Sequence, residues 1–319
     1  MFQPRYRISQ PLLATLKRIA VQVYALNKQR PIETTVTALR DEALALSAAA
    51  AGRGDELAGA NYRRTLLELG GSPAADFDMA LLLRIHFRLG AGILPDEQRG
   101  RLRRATPNGV VGQTFTRPAL YQPPEPRVVP ILLNDLVVFV EAQRATLDPL
   151  LLAGIFHRQL LLIRPFENGN EPLAWLATRI LLSGLVLERP QLLALEQPFQ
   201  ADRAGYLAAL GARGNYYGLA NALEFTPWLE YFAGGVAAAL DNLVERYRQR
   251  RATPARALQA HHQALLDYVD AHGFITDKQY ARLTDRAKAT RSLDFKKLLE
   301  LGLLVREGHG RGTYYRRRT

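Results

Sequence analysis

The stretch from Gly154 to Leu182, GIFHRQLLLIRPFENGNEPLAWLATRILL, constrains this chain more than any other. An apolar segment with helical periodicity runs into Pro-Phe-Glu-Asn-Gly-Asn and resumes as a second apolar segment, so the pattern predicts a helix, a tight loop and another helix. The loop needs the backbone freedom of Gly or Asn. The second helix turns its unpaired amides, and the positive end of its dipole, toward that loop. An anion pocket is the expected product of this geometry, with Arg164, Gly169 and Asn170 as the candidate anion-binding residues.

The rest of the chain narrows the class. With 319 residues and 48% hydrophobic content it can bury one large core and has room for two domains. Lys and Arg number 42 against 30 Asp and Glu, a formal net charge of +12. This favours polyanion partners such as nucleic acid or nucleotide, or reflects an Arg-rich coding bias. Cys is absent, which excludes disulfides, thiolate metal sites and Cys nucleophiles. No basic start leads into an apolar run with a small-residue cleavage site, and no apolar stretch approaches the ~20 residues of a membrane span. The expectation is a soluble, cytoplasmic protein with no membrane partner.

Taken in order, residues 8–28 set Leu12, Leu13, Leu16, Ile19 and Val23 on one stripe, a helix with Ser9 or Pro11 at its start. A second helix is expected from Glu33 to about Ala51, stopped by Gly52 and Gly54. Further helices follow over 61–70 and 76–90. His86, among Leu83, Ile85 and Phe87, reads as a core or boundary histidine, because it has no acid or metal-ligand partner at helical spacing. Regular patterning fails between Ile93 and Pro126, where Asn108-Gly109 makes a good hairpin turn. Val128 to Ala142 is a helix with Ile131, Leu132, Leu136 and Phe139 expected inward, and Leu150 to Leu162 is apolar nearly all round, as a central buried helix would be. His157 in that helix reads as a buried structural histidine.

The loop residues Arg164-Pro165-Phe166-Glu167-Asn168-Gly169-Asn170 resemble the signature of the Fic (Fido) family, His-Pro-Phe-x-Asp/Glu-Gly-Asn-Gly-Arg-x-x-Arg. Pro165, Phe166, Gly169 and Asn170 fit. Arg164 stands at the His, Asn168 at the acidic position, Glu171 at the Gly, Pro172 at the first Arg and Trp175 at the second. Flanking features agree. His86 matches a Leu/Ile-His-x-x-Leu-x-x-Gly run, and GNYYGLANALEFTPWLEYF resembles the closing pattern of the family, so the likeness covers about residues 8–240. It implies a mainly α fold, a helical bundle with a Gly-x-x-Arg element and a small β-hairpin flap at Asn108, Gly109, Val110 and Val111. Such flaps capture a protein or peptide partner by strand addition. It also implies an N-terminal inhibitory motif, Ser/Thr-x-x-x-Glu, but after Ser47 the Glu position is Ala51, or Ala50 one register over.

Beyond the charged stretch ERYRQRRATPAR, the order of helix, helix, helix and two strands around Gly308 to Gly312 is that of a winged helix-turn-helix. From 254 to 319 there are 13 Lys or Arg and 7 Asp or Glu, net +6. Lys288, Arg291, Lys296 and Lys297 on the presumed recognition helix, with Arg306 and Arg311 by the wing, are the candidate DNA-binding residues. Winged helices also serve as protein-protein modules. His261 and His262 adjoin on different helical faces, so no shared metal site is expected. The domain expectation is 1–95 for an N-terminal helical region, 96–245 for a Fic-like core, 246–258 for a linker and 259–319 for the winged helix.

Active Fic enzymes, as the resemblance implies, move AMP from ATP to a hydroxyl, with the His as base, the acid holding Mg, and the Arg residues gripping phosphates. Here Arg164 cannot act as a base, Asn168 is a poor Mg ligand, and Glu171 brings negative charge to the phosphate site. The expectation is an impaired Fic-like protein acting as a regulator, with DNA as its partner and a homodimer compatible with it. No cofactor is expected, and ATP and Mg enter only if activity is retained. The alternatives are a residual or altered protein adenylyltransferase using Glu167, or a protein-protein interaction module. None of the signature-loop positions Arg164, Phe166, Asn168, Gly169 and Asn170 is then an intact catalytic residue.

Overall fold

The computed structural model describes residues 2–69, 76–105 and 121–318. In chain order its elements are α1 (Gln10–Asn27), α2 (Glu33–Gly52), α3 (Glu56–Leu69), α4 (Met79–Leu89), β1 (Tyr121–Gln122), α5 (Val129–Gln143), α6 (Pro149–Ile163), α7 (Asn170–Leu182), α8 (Gln197–Ala201) and α9 (Arg203–Leu210). There follow β2 (Gly214–Asn215), α10 (Tyr216–Ala222), α11 (Thr226–Ala257), α12 (Ala260–His272), α13 (Asp277–Tyr280), α14 (Lys288–Glu300), β3 (Leu304–Glu307) and β4 (Tyr314–Arg317). The fold is mainly helical. Two compact units divide it, one of Met1–Gln29 with Arg40–Leu243 and one of Arg30–Leu39 with Val244–Thr319.

The first unit is built around α6, which is buried from Leu150 to Ile163. Its capping is local: Asp148 accepts from the Leu150 amide at 2.8 Å, and Pro149 occupies the first turn, where its missing N–H costs nothing. A helix enclosed on every side must satisfy its polar side chains internally. Arg158 donates to the Leu210 and Glu224 carbonyls at 3.0 and 2.9 Å, and Gln159 to the Tyr216 hydroxyl at 3.0 Å. Gly154 lets α11 close in: a Cβ there would lie 2.9 Å from Leu229 and Phe232 carbons, and Trp228 donates its indole N–H to the Gly154 carbonyl at 2.7 Å.

Helix α5 shows a shifted face. Ile131 is 63% exposed, and Leu132 and Phe139 are only partly buried, while Val129, Leu133, Leu136, Val137 and Val140 face inward. The segment is apolar nearly all round, so its periodicity leaves the phase undetermined and packing selects it. The stretch 246–258 also differs from a linker: residues to Ala257 continue α11.

The second unit packs Leu265, Leu266 and Val269 of α12 against Tyr280, Phe295, Leu298 and Leu304. Strands β3 and β4 pair antiparallel, Leu304 opposite Arg317 and Glu307 opposite Tyr314, and Ile275 bridges antiparallel to Tyr315. Thr276 caps α13 through a reciprocal capping box with Gln279.

Candidate functional site

Helix α6 ends at Arg164, whose φ of 47° reverses the chain, and Gly169, φ 72°, caps the start of α7. Between them the loop is closed by its own residues. The Asn170 side chain accepts from the Phe166 amide at 3.0 Å and donates to the Phe166 carbonyl at 2.8 Å, so both of its polar atoms are committed to the loop rather than offered to a ligand. His86 stacks on Phe166, takes the Gly100 amide on Nδ1 at 3.0 Å and presents Nε2 to the Asn168 carbonyl at 3.0 Å. With Nδ1 accepting, the neutral ring carries its proton on Nε2, and burial holds the imidazole below its usual pKa despite the Asn168 carbonyl. Gly169 has to be glycine twice over: its φ is left-handed, and a Cβ would lie 3.2 Å from His86 Nε2.

Arg103, from the Gly100-Arg101-Leu102-Arg103 element, clamps this loop from outside. Its Nε donates to the Arg164 carbonyl at 2.7 Å, its Nη1 to Ala105 at 3.2 Å and its Nη2 to Pro124, while its own amide donates to Pro165 at 2.9 Å. The clamp holds the chain on both sides of residues 106–120. The flap positions Asn108, Gly109, Val110 and Val111 lie outside the described residues.

A cavity of about 400 Å³ opens at the start of α7, lined by residues that include Arg53, Asp55, Arg164, Glu167, Asn168, Gly169, Glu171, Arg203 and Tyr206. Sequence reading brings together Arg164, Asn168, Gly169 and Asn170 here, but gives no signal for Arg53 or Arg203. Arg203, at the head of α9, grips Glu171 with both guanidinium nitrogens, Nη2 to Oε2 at 2.8 Å and Nη1 to Oε1. Arg53 Nη1 lies 3.7 Å from Glu171 Oε2. Burial works against the Arg203 cation, and the hydrogen bonds and charge of Glu171 outweigh it, raising its pKa. The carboxylate at the first turn of α7 is thus supplied by the chain itself, where a helix favours an anion.

No histidine lines this cavity among the described residues. His157 is fully buried behind it, its ring nitrogens 2.9 Å from the Thr178 hydroxyl and 2.7 Å from the Tyr206 hydroxyl, and burial pushes its pKa down to about 3. Trp175 is core, 3% exposed, with ring centroids 4.2 Å from His157 and 4.8 Å from Phe199. The residue at the acidic position is the exposed amide Asn168, a poor Mg ligand, and two of the three cavity arginines, Arg203 and Arg53, already face Glu171. At the start of the segment that resembles the inhibitory motif, Ser47 of α2 accepts from Arg179 Nη2 at 2.8 Å, while the acidic position is filled by Ala51, or Ala50 one register over. Arg179 is locked on buried Glu196 at 2.6 and 2.7 Å, with Tyr62 donating to the same carboxylate.

In the second unit the DNA-binding candidates divide. Lys288, Lys296 and Arg306 are exposed, and Lys297 is partly buried. Arg291 is turned onto Asp277, with Nε to Oδ1 at 2.9 Å and Nη2 to Oδ2 at 3.0 Å. The Arg311 side chain lies outside the described residues. Arg317 pairs with Asp270 at 2.6 Å and Arg286 with Asp294 at 2.8 Å, so part of the basic surplus is neutralised within the unit. His261 and His262, expected on different helical faces, lie with ring centroids 4.1 Å apart. Both His261 and His262 place Nε2 3.4 Å from Asp294 Oδ1, and the three ligand atoms lie within 4.8 Å of one another. Adjacent helical residues converge because His262 folds back to cap α12, accepting the Gln259 amide on Nδ1 at 3.0 Å. That bond leaves the ring proton on Nε2, which closes this nitrogen to a metal, and Arg286 already neutralises Asp294.

Comparison with known proteins gives the relationship. Residues 76–182 match the Fic/DOC family model. No curated protein matches the sequence. Among solved structures, a Fic family protein from Desulfovibrio desulfuricans G20 superposes with a TM-score of 0.65 at 17% identity, covering 99% of this chain and 98% of that one. A Fic domain containing signaling protein from Bacteroides thetaiotaomicron gives a TM-score of 0.56 at 15% identity over 74% of this chain and 98% of that chain, and Fic-1 from C. elegans 0.54 at 18% over 73% and 72%.

Proposed function

We propose, from the premise that residues 76–182 form a Fic/DOC-family domain, that this domain is catalytically impaired and serves a regulator that binds DNA through its C-terminal unit. The observation that carries the first half is the Glu171 carboxylate held by Arg203 at the head of α7, in a cavity that no histidine among the described residues lines. General-base loss alone typically removes about 10²- to 10⁴-fold in rate. His86 and His157 cannot substitute for it, since each is buried and committed at both nitrogens. Incubation with labelled ATP and Mg tests this: transfer of AMP by the wild type should not exceed that of Asn170→Ala.

The DNA half is supported by the order α12, α13, α14, β3, β4 with the Ile275–Tyr315 bridge, which is that of a winged helix-turn-helix, and by exposed Lys288 and Lys296 on α14. A gel shift on the upstream region of its own coding sequence is the corresponding test, and loss of mobility change on Lys288→Ala with Lys296→Ala is the expected result. A protein partner captured at the flap is the second reading, motivated by Arg103, which donates to the carbonyls of Ala105 and Pro124. A pull-down with and without Val110→Pro separates the two.

A further inference from the structure

Two arginines that no motif anticipates reach one carboxylate, Arg53 from the turn after α2 and Arg203 from the head of α9. Arg203 follows Asp202, whose side chain accepts the Gly205 amide at 3.0 Å and fixes the first turn of α9. The guanidinium lies 5.0 Å over the Tyr206 ring, which leaves its planar fork facing Glu171. Arg53 sits just beyond α2 with a φ of 53°, a conformation a non-glycine residue adopts only when its surroundings require it. The surroundings here are tight: a Cβ on neighbouring Gly52 would stand 2.8 Å from the Gly59 backbone nitrogen. The end of α2 is therefore pinned, and Arg53 is delivered to Glu171 by backbone geometry.

Charges along the cavity balance: Arg53, Arg164 and Arg203 against Asp55, Glu167 and Glu171, three of each sign. The geometry points to Glu171 as an intramolecular latch, a carboxylate that occupies the oxyanion cleft between Arg203 and Arg53 and excludes a phosphate-bearing ligand from it. A ligand with two linked phosphates would reach Arg203 and Arg53 only by displacing Glu171, because both already face its carboxylate. Displacement would also free the Arg53 end of α2 from α7, so ligand entry and the α2 contact are one event. This rests on reading the cavity as an anion site that has lost its transfer chemistry, and it adds how access to that site is controlled.

Titration of the full-length protein with inorganic pyrophosphate by calorimetry tests it. Glu171→Gln should bind at least about tenfold more tightly than the wild type, a gain of the size expected when a charged hydrogen bond to the same cations is removed from competition. Glu171→Ala should reproduce the gain without a neighbouring amide, which guards against a defect peculiar to Gln. Adding Arg203→Gln to Glu171→Gln should return the affinity to within about twofold of wild type. Glu167→Gln alters the cavity charge equally without touching Arg203, and should give no more than about a twofold change. Equal affinities for wild type and both Glu171 variants would overturn the latch. So would a gain that survives loss of Arg203, or an equal gain from Glu167→Gln. Pyrophosphate binding involves no AMP transfer, so failure here leaves the impaired-transferase reading to its own assay.

Discussion

His86 lies flat on Phe166, ring centroids 3.7 Å apart and planes 9° from parallel, and bridges the Gly100 amide to the Asn168 carbonyl. The two residues sit far apart in sequence, yet together they shape the signature loop without touching its chemistry. The frame of the site is kept by such contacts, by the Asn170 bonds to Phe166 and by the Arg103 clamp, independently of whether the loop can transfer anything.

Truncating that frame should therefore unfold more than the loop. His86→Ala removes a buried ring and two hydrogen bonds and is expected to cost about 3 kcal/mol in urea unfolding. Arg103→Ala, which leaves carbonyls of Arg164, Ala105 and Pro124 without their donor, should raise hydrogen exchange at Pro165's neighbours and at Tyr121 rather than across the whole unit.

Restoring the family residue at position 175 should destroy the fold rather than rescue activity. Trp175→Arg replaces a ring packed on His157, Phe199 and Tyr206 with a charge that has no partner there. Loss of a buried Trp alone costs about 3–5 kcal/mol, and the unpaired charge adds to it. A thermal melt of Trp175→Arg within a few degrees of wild type would show that this pocket is not closed core.

Acid should destabilise the first unit through His157. Burial lowers its pKa to about 3 from an unfolded value near 6.5, so the unfolded chain takes up the proton first. The stability this ring contributes is complete above about pH 6.5 and falls as pH drops toward about 3, with a slope near 1.4 kcal/mol per pH unit. His157→Gln should flatten that part of the pH-stability curve, as read by denaturant midpoints between pH 7 and pH 4.

Salt dependence should separate the lysines of α14 from its arginine. Lys288→Ala and Lys296→Ala, both exposed, are each expected to reduce the slope of log affinity against log salt for DNA by about 0.9. Arg291→Ala breaks the pair with Asp277 and should lower the melting temperature of the C-terminal unit while leaving that slope nearly unchanged.

The helix-loop-helix at the centre is plain in the sequence, because two long apolar segments flank a loop that ends in Gly169, and His86 reads as structural because no acid or metal ligand lies at helical spacing from it. The face of α5 was not readable: Ile131, Leu132, Leu133, Val137 and Val138 are all apolar, and only packing decides that Leu133 turns in and Ile131 out. Arg53 and Arg203 were invisible as site residues, since one lies in a turn and the other follows an ordinary helix cap, and only the tertiary fold carries them to Glu171. Helical spacing places neighbours apart, so the meeting of His261 and His262 is not legible in the sequence; it takes the recruitment of one ring as a cap to bring them together.

The central claim is that the signature loop keeps its shape and has lost its chemistry. The most direct measurement is the rate at which wild-type protein incorporates labelled AMP from ATP and Mg, into itself or an added cell extract, against Asn170→Ala prepared in parallel. Indistinguishable rates are predicted; incorporation by the wild type clearly above that of Asn170→Ala would contradict the account.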